Sequence, residues 1–149
     1  MSWPTRKLGE LGTFKNGVNF TKDAVGDGRP FINVKDITGS HYFTHEQLDR
    51  VKLDVREDAL AQPEDLFFVR SSVKLDGIGL VGQIRNGLPE SGVLHCGFVI
   101  RFRPDAECIN TNFLMYLLLT PLFRQRLKNL SGGTAIINIS PVSYTHLTL

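Results

Sequence analysis

Apolar residues fall into short blocks along this chain, separated by polar stretches rich in glycine, asparagine and charge. Leu66-Phe67-Phe68-Val69 is the clearest block. Turn residues Pro63-Glu64-Asp65 precede it and polar Arg70-Ser71-Ser72 follow, which predicts a buried strand opening into a loop that reaches about Gly79. Pro30 to Val34 predicts a compact strand, with Lys35-Asp36 beginning the exit from it. Leu80 to Ile84 and Gly92 to Phe102 predict two more, divided by Asn86-Gly87-Leu88-Pro89. Leu8, Leu11 and Phe14 recur at intervals of three, which fits a short helical turn leading into a strand that Asn16-Gly17 punctuates. Val18 to Arg29 has the composition of a loop. Thr38 to Arg56 is ambiguous, although Thr44 with Gln47 has the spacing of a capping box and places a short helix start there.

The pattern changes period after Cys108. Phe113, Leu114, Leu117, Leu118, Leu122, Phe123 and Leu127 form a broad apolar stripe, predicting a helix from Asn110 to Leu130 with Asn110 or Thr111 as its cap. Pro121 should kink or split that helix near Thr120, since an interior proline removes a backbone donor and clashes with the preceding turn. Arg124, Arg126 and Lys128 suit the negative end of its dipole, Gly132-Gly133 ends it, and Ala135 to Ile139 supplies a last short strand. The sum is α+β: a single domain with a mixed or antiparallel sheet of short strands, long loops and one dominant C-terminal helix.

Composition narrows the class only slightly. A chain of 149 residues with 42% hydrophobic and 21% charged positions is one ordinary globular domain. The net charge of +2 says little about nucleic acid by itself, but its distribution says more. Met1 to Leu60 holds nine basic and nine acidic residues, whereas everything from Asn110 onward carries three bases and no acid. The basic character is concentrated in the second half and could form one positive face. Cys96 and Cys108 have no metal-ligand spacing, and Cys96 lies in an apolar run where a buried thiol is expected. The polar Met1 to Lys7 segment has no secretory pattern, and Phe113 to Leu119 is too short to span a bilayer, so a reducing, cytoplasmic setting without a membrane partner is expected.

Catalytic chemistry is sparse. Gly77-Ile78-Gly79-Leu80-Val81-Gly82 fits a dinucleotide fingerprint by letter, but no helix follows to hold a pyrophosphate. His41 and His45 have the spacing of a metal pair on a helix, without a third ligand in view. His95 and Cys96 are neighbours in a strand and should point to opposite faces, which disfavours a nucleophile pair. The acids Asp54, Glu57, Asp58, Glu64 and Asp65 are expected to form a solvated acidic turn. No cofactor-binding, metal or catalytic residue is therefore assigned. Binding chemistry is richer. Arg70, Ser71, Ser72 and Lys74 follow a buried strand, so a rigid support presents side chains able to reach base edges or phosphates. Lys15, Asn16 and Lys35 sit at other strand ends, and Thr134 and Asn138 are further candidates near the base of the domain. Asn33 and Asn138 have an alternative role in satisfying turn backbones.

The order of these signals resembles a target recognition domain from the specificity subunit of type I restriction–modification systems. The resemblance is carried by Trp3, by Lys7 to Gly17, by Pro30 to Ile37, by Glu64 to Ser72, by Gly97 to Arg103, and by the helix with Gly133 to Ser140 after it. It implies a sequence-specific DNA-reading module that is not itself an enzyme and that reads one half of a bipartite target in double-stranded DNA. In that family a subunit holds two such domains, each followed by a long spacer helix that docks methyltransferase subunits and, through them, restriction subunits. S-adenosylmethionine, ATP and Mg would belong to those partners. A fragment of a fused restriction or methylation enzyme, or a protein-interaction domain using its apolar helix, are the alternatives.

Two departures shape the expectation. One recognition domain is seen, and Pro141 to Leu147 lacks the character of a connection into a spacer helix, resembling instead the translation of a sequencing adapter. The expected division is a recognition domain over residues 1–140 and a non-native tail over 141–149. Resequencing the locus should show the reading frame diverging near Pro141; an intact genomic codon run through the tail would overturn that expectation.

Overall fold

A computed structural model describes residues 5–72, 75–129 and 137–138. The chain opens with a 3₁₀ turn at Leu8–Glu10 and strand β1, Gly12–Asn16. Then come β2 (Val25–Ile32), helix α1 (Val34–Gly39), β3 (Tyr42–Phe43), β4 (Asp49–Val51), β5 (Leu66–Val69) and β6 (Ser71–Ser72). The second half holds β7 (Val81–Ile84), β8 (Leu94–His95), β9 (Val99–Pro104), α2 (Thr111–Leu118), α3 (Pro121–Asn129) and β10 (Ile137–Asn138).

Five strands form the central sheet in the order β1-β9-β5-β7-β3, antiparallel except for the last pair. A three-stranded sheet, β4-β2-β8, and the two-stranded pair β10-β6 accompany it. The central sheet is covered on both faces, and β5 shows how. Leu66 and Phe68 pack with Leu8, Ile100, Phe102, Leu114, Met115 and Leu118 beneath the helices. Phe67 and Val69, pointing the other way, pack with Ile32, Ile37, Phe43, Val51, Leu94 and Val99 beneath the smaller sheet. A strand buried on both faces reads as an unbroken apolar run, and all four β5 residues are at most 1% exposed.

Most of the expected elements are present, with instructive shifts. The helix divides at Thr120: α2 ends at Leu118 and α3 starts on Pro121, whose missing N–H is harmless in a first turn. Asn110 caps α2 through its side-chain oxygen, which accepts from the Phe113 N–H at 3.0 Å. The Thr44–Gln47 capping box forms around a single 3₁₀ turn, His45–Gln47. Val25 to Arg29 is strand rather than loop, because pairing with β4 across a register shift draws it into the sheet. Val34 to Gly39 is helix rather than the exit of a strand. Asn33 accepts from the Val34 N–H at 2.7 Å while Asp36 accepts from the Asn33 N–H at 2.8 Å, closing a capping box. The long strand expected from Gly92 to Phe102 is broken into β8 and β9 by a turn at Gly97-Phe98, and the loop after Arg70 begins as β6. The expected turn at Gly132-Gly133, Thr134 and the tail beyond Ser140 lie outside the described residues. No helix among the described residues is long and apolar enough to cross a membrane.

Of the five acids expected to be solvated, Asp54, Glu57, Asp58 and Glu64 are exposed, and Asp65 alone departs. Asp65 is 2% exposed and takes a two-pronged ion pair from Arg103, Nε to Oδ1 at 2.9 Å and Nη2 to Oδ2 at 3.0 Å, with the Gln62 N–H donating at 2.7 Å. Arg101, also buried, donates to the carbonyls of Asp58 and Leu60. This cluster ties the turn before β5 to β9. Removing one partner strands buried charge, so Asp65→Ala should lower unfolding stability by about 3–5 kcal/mol, readable as a lower urea midpoint. A shift below about 1 kcal/mol would show that solvent already screens the cluster.

Candidate nucleic-acid interface

Strand direction decides which residues meet. β1 and β5 run the same way beside the opposed β9, with Asn16 opposite Ile100 and Val69 opposite Val99. Asn16, Arg70 and Phe98 therefore emerge at one end of the central sheet. The Arg70 guanidinium donates to Asn16 Oδ1 at 3.2 Å, and the Arg70 N–H donates to the Phe98 carbonyl at 2.8 Å. Ser71 continues outward in β6, directly opposite Asn138 of β10.

The smaller sheet ends at the same place. After β1 the chain crosses to β8, where the Val18 N–H donates to the His95 carbonyl at 2.9 Å and Val18 bridges Cys96. Gly17 makes this approach feasible, since a Cβ there would overlap the Cys96 carbonyl group. The Cys96 N–H then donates to the Ile32 carbonyl, bringing the end of β2 alongside. Val18, Asn19, Phe20, Asn33, Asp49 and Phe98 wall a cleft of about 240 Å³ between the two sheets' ends. A second cleft of similar size, at the corner of β7 and α2, is walled by Gln62, Gln83, Arg85 and Asn112, away from these strand ends.

Electrostatics separates the candidates. Lys15 is paired with Asp58 at 3.1 Å, and its hydrogen bond holds the Asp58 carboxyl below the usual range. Lys35, on the first turn of α1, is paired with Asp49 at 2.6 Å, and that hydrogen bond raises its pKa. Arg70 is held by a neutral amide, and among the described residues no carboxylate pairs with it. Of the three candidate cations described, it is the one whose charge stays uncompensated at the strand-end surface. Lys74 and Thr134 lie outside the described residues; Ser72 and Asn138 are described through their backbones. The structure thus gathers Asn16, Arg70, Ser71 and the Asn138 backbone, brings Lys35 to the cleft rim through Asp49, and turns Lys15 toward Asp58.

Phe98 is the surface residue that the apolar pattern misses, since by periodicity it is one more strand residue. It is 60% exposed at the corner of a turn in which the Val99 N–H donates to the Cys96 carbonyl. Gly97 before it is the available signal, since glycine inside a strand pattern marks a break.

The other chemical candidates resolve into structural roles. His95 and Cys96 turn to different partners: the His95 ring contacts Phe67 and bonds the Lys15 carbonyl, and the Cys96 thiol points at Asn33 Oδ1. His41 bonds the Val81 carbonyl, and among the described residues no cluster of three His, Cys, Asp or Glu could hold a metal. Gly77 to Gly82 covers the end of a 3₁₀ turn and the start of β7 rather than the opening of a helix.

Two sheets joined at their ends, with helices covering the far face of the central one, are the fold of about one third of the solved specificity subunits of type I restriction–modification systems. The chain is similar to the type I restriction enzyme StySPI specificity subunit of Salmonella potsdam, 25% identical over 147 residues, which is 95% of this chain and 31% of that protein. It is likewise similar to the EcoKI specificity subunit of Escherichia coli K12, 26% identical over 130 residues, covering 87% of this chain and 26% of that one. The solved S subunit of M. genitalium superposes with a TM-score of 0.60 at 16% identity, over 99% of this chain and 33% of that structure. The chain thus spans about a quarter to a third of the length of these relatives. No family model matches it.

His95 supports the strand-end surface from below, and burial holds its pKa down at about 4, against an ordinary 6.5. Its Nδ1 is buried without a partner among the described residues, while Nε2–H donates to the Lys15 carbonyl at 3.2 Å. The folded value lies below the unfolded one, so this contribution to stability is whole above pH 6.5 and lost as pH falls toward 4. Urea melts at pH 7.5 and pH 4 should differ by a component on the order of 3 kcal/mol that His95→Gln removes. Equal pH dependence in both proteins would refute a neutral, buried imidazole.

Proposed function

We propose that this chain is a DNA-recognition module of a type I restriction–modification system, reading one half of a bipartite target. On this reading it works in the cytoplasm and is not itself an enzyme. Methyl transfer and ATP-driven cleavage, with their cofactors, fall to methyltransferase and restriction subunits. The carrying observation is the convergence of Asn16, Arg70, Ser71 and Phe98, distant in sequence, on one rigid strand-end surface whose guanidinium has no carboxylate partner among the described residues. Amide, hydroxyl and guanidinium groups match the donor and acceptor pattern of the major groove, and the cation suits a guanine edge or a phosphate. Likeness to specificity subunits along nearly the whole chain supports the reading.

A second reading rests on α2 and α3. Leu114, Met115, Leu118, Phe123 and Leu127 are buried in the core, but Phe113, Tyr116 and Leu122 are 60%, 77% and 59% exposed. Such a face suits contact with a protein partner. It is compatible with DNA reading at the strand ends, because the two surfaces are different.

Duplex DNA of random sequence should bind the chain at low salt, with affinity falling steeply as salt rises through counterion release. Arg70→Ala should weaken binding by about 1–3 kcal/mol with the circular dichroism spectrum unchanged. Lys15→Ala and Lys35→Ala should do less, since Asp58 and Asp49 already neutralise those cations. Fluorescence anisotropy measures all of these; absent binding by the parent chain would refute the reading.

A further inference from the structure

We infer that Phe98 is a specificity determinant which packs its ring against the 5-methyl group of a thymine in the major groove, an inference that rests on the DNA-reading function proposed above. Phe98 is 60% exposed at the rim of the cleft walled by Val18, Phe20, Asn19 and Asn33, where its ring can meet a ligand. Three constraints hold it there. The Cys96-to-Val99 turn is closed by the Val99 N–H to Cys96 carbonyl bond at 3.0 Å. The Phe98 carbonyl accepts from the Arg70 N–H at 2.8 Å, tying the turn to the end of β5. At Gly97 a Cβ would overlap the Asn19 side-chain amide, so the loop after β1 closes the turn's other side. The Phe98 backbone is thus fixed beside that of Arg70, whose guanidinium bonds Asn16, and Phe98 lines the cleft with Asn19 and Asn33.

Its neighbours decide the chemistry of the ligand. Amide and guanidinium groups on the same strand-end surface are the pairing chemistry of major-groove base edges, where thymine alone of the four bases carries a methyl group. An aromatic wedge between base steps is instead a minor-groove device that kinks the duplex. The amides and guanidinium that share this surface, from Asn16, Asn19, Asn33 and Arg70, favour the methyl contact. Phe98 therefore supplies an apolar contribution to readout alongside the polar one of Arg70.

The test starts by selecting a preferred duplex from a random pool with the full chain at low salt. Each thymine is then replaced by deoxyuridine, which removes the methyl group alone. One replacement should weaken binding about three- to fivefold, the share expected for one buried methyl. Phe98→Ala should bind with the same affinity whether that position holds thymine or deoxyuridine, and Phe98→Leu should keep part of the discrimination. A selected site lacking thymine, a parent chain indifferent to every replacement, or a Phe98→Ala protein as discriminating as the parent would each overturn the inference. Loss that follows the flexibility of a base step and ignores the methyl would overturn it too, in favour of a wedge. If the parent chain binds no duplex at all, the DNA-reading function itself fails, a result distinct from these.

Discussion

Burial of β5 on both faces is the constraint on which the rest of the molecule depends. Leu66 and Phe68 hold the helices to one side of the sheet, and Phe67 and Val69 hold the smaller sheet to the other. A strand packed this way cannot slip by one residue without exchanging the contents of two cores. Its register with β9 is therefore fixed, and so is the point at which Arg70 leaves the sheet. Precision at the strand-end surface comes from packing several residues behind it.

The charged groups divide between support and display. Asp65 and the two arginines of β9 form a cluster that fastens the turn before β5. Its charge is tolerated because Arg103 pairs with Asp65 and Arg101 donates Nη1 to two carbonyls, although Arg101 Nε has no hydrogen-bond partner among the described residues. At the other end of β5, Arg70 is exposed to solvent on one side and steadied by a neutral amide. Lys15 and Lys35 fall between these cases, each neutralised by a neighbouring carboxylate. Formal charge on a sequence cannot separate these roles; the distance to the nearest carboxylate does.

Interactions between near neighbours in the chain are legible in the order of the amino acids. The capping residues Asn110 and Thr44, the division at Pro121, the apolar run of β5 and the burial of Cys96 follow from spacings of a few residues. The elements that depart from the local pattern share one cause. Val25 to Arg29 is strand because β4 lies beside it, and Phe98 leaves the strand pattern because the Arg70 N–H and the loop carrying Asn19 capture the turn around it. Asp65 has the sequence setting of a solvated acid because Arg101 and Arg103, its charged neighbours, lie far along the chain on β9.

By itself the sequence determined the class of fold, the positions of its main elements and the likeness to specificity subunits, because periodicity, capping and turn chemistry act over neighbouring residues. It also named Arg70 and Asn16 as residues at strand ends, whereas Lys35, expected at another, lies on the first turn of α1. Tertiary structure alone decided that Asn16, Arg70, Phe98 and the cleft beside Asn33 share one surface, and which of the described candidate cations has no carboxylate beside it. That decision rests on strand pairing between segments far apart in the chain, such as Asn16 opposite Ile100. Register across such distances is set by the fit of two cores against one sheet, which no local pattern encodes.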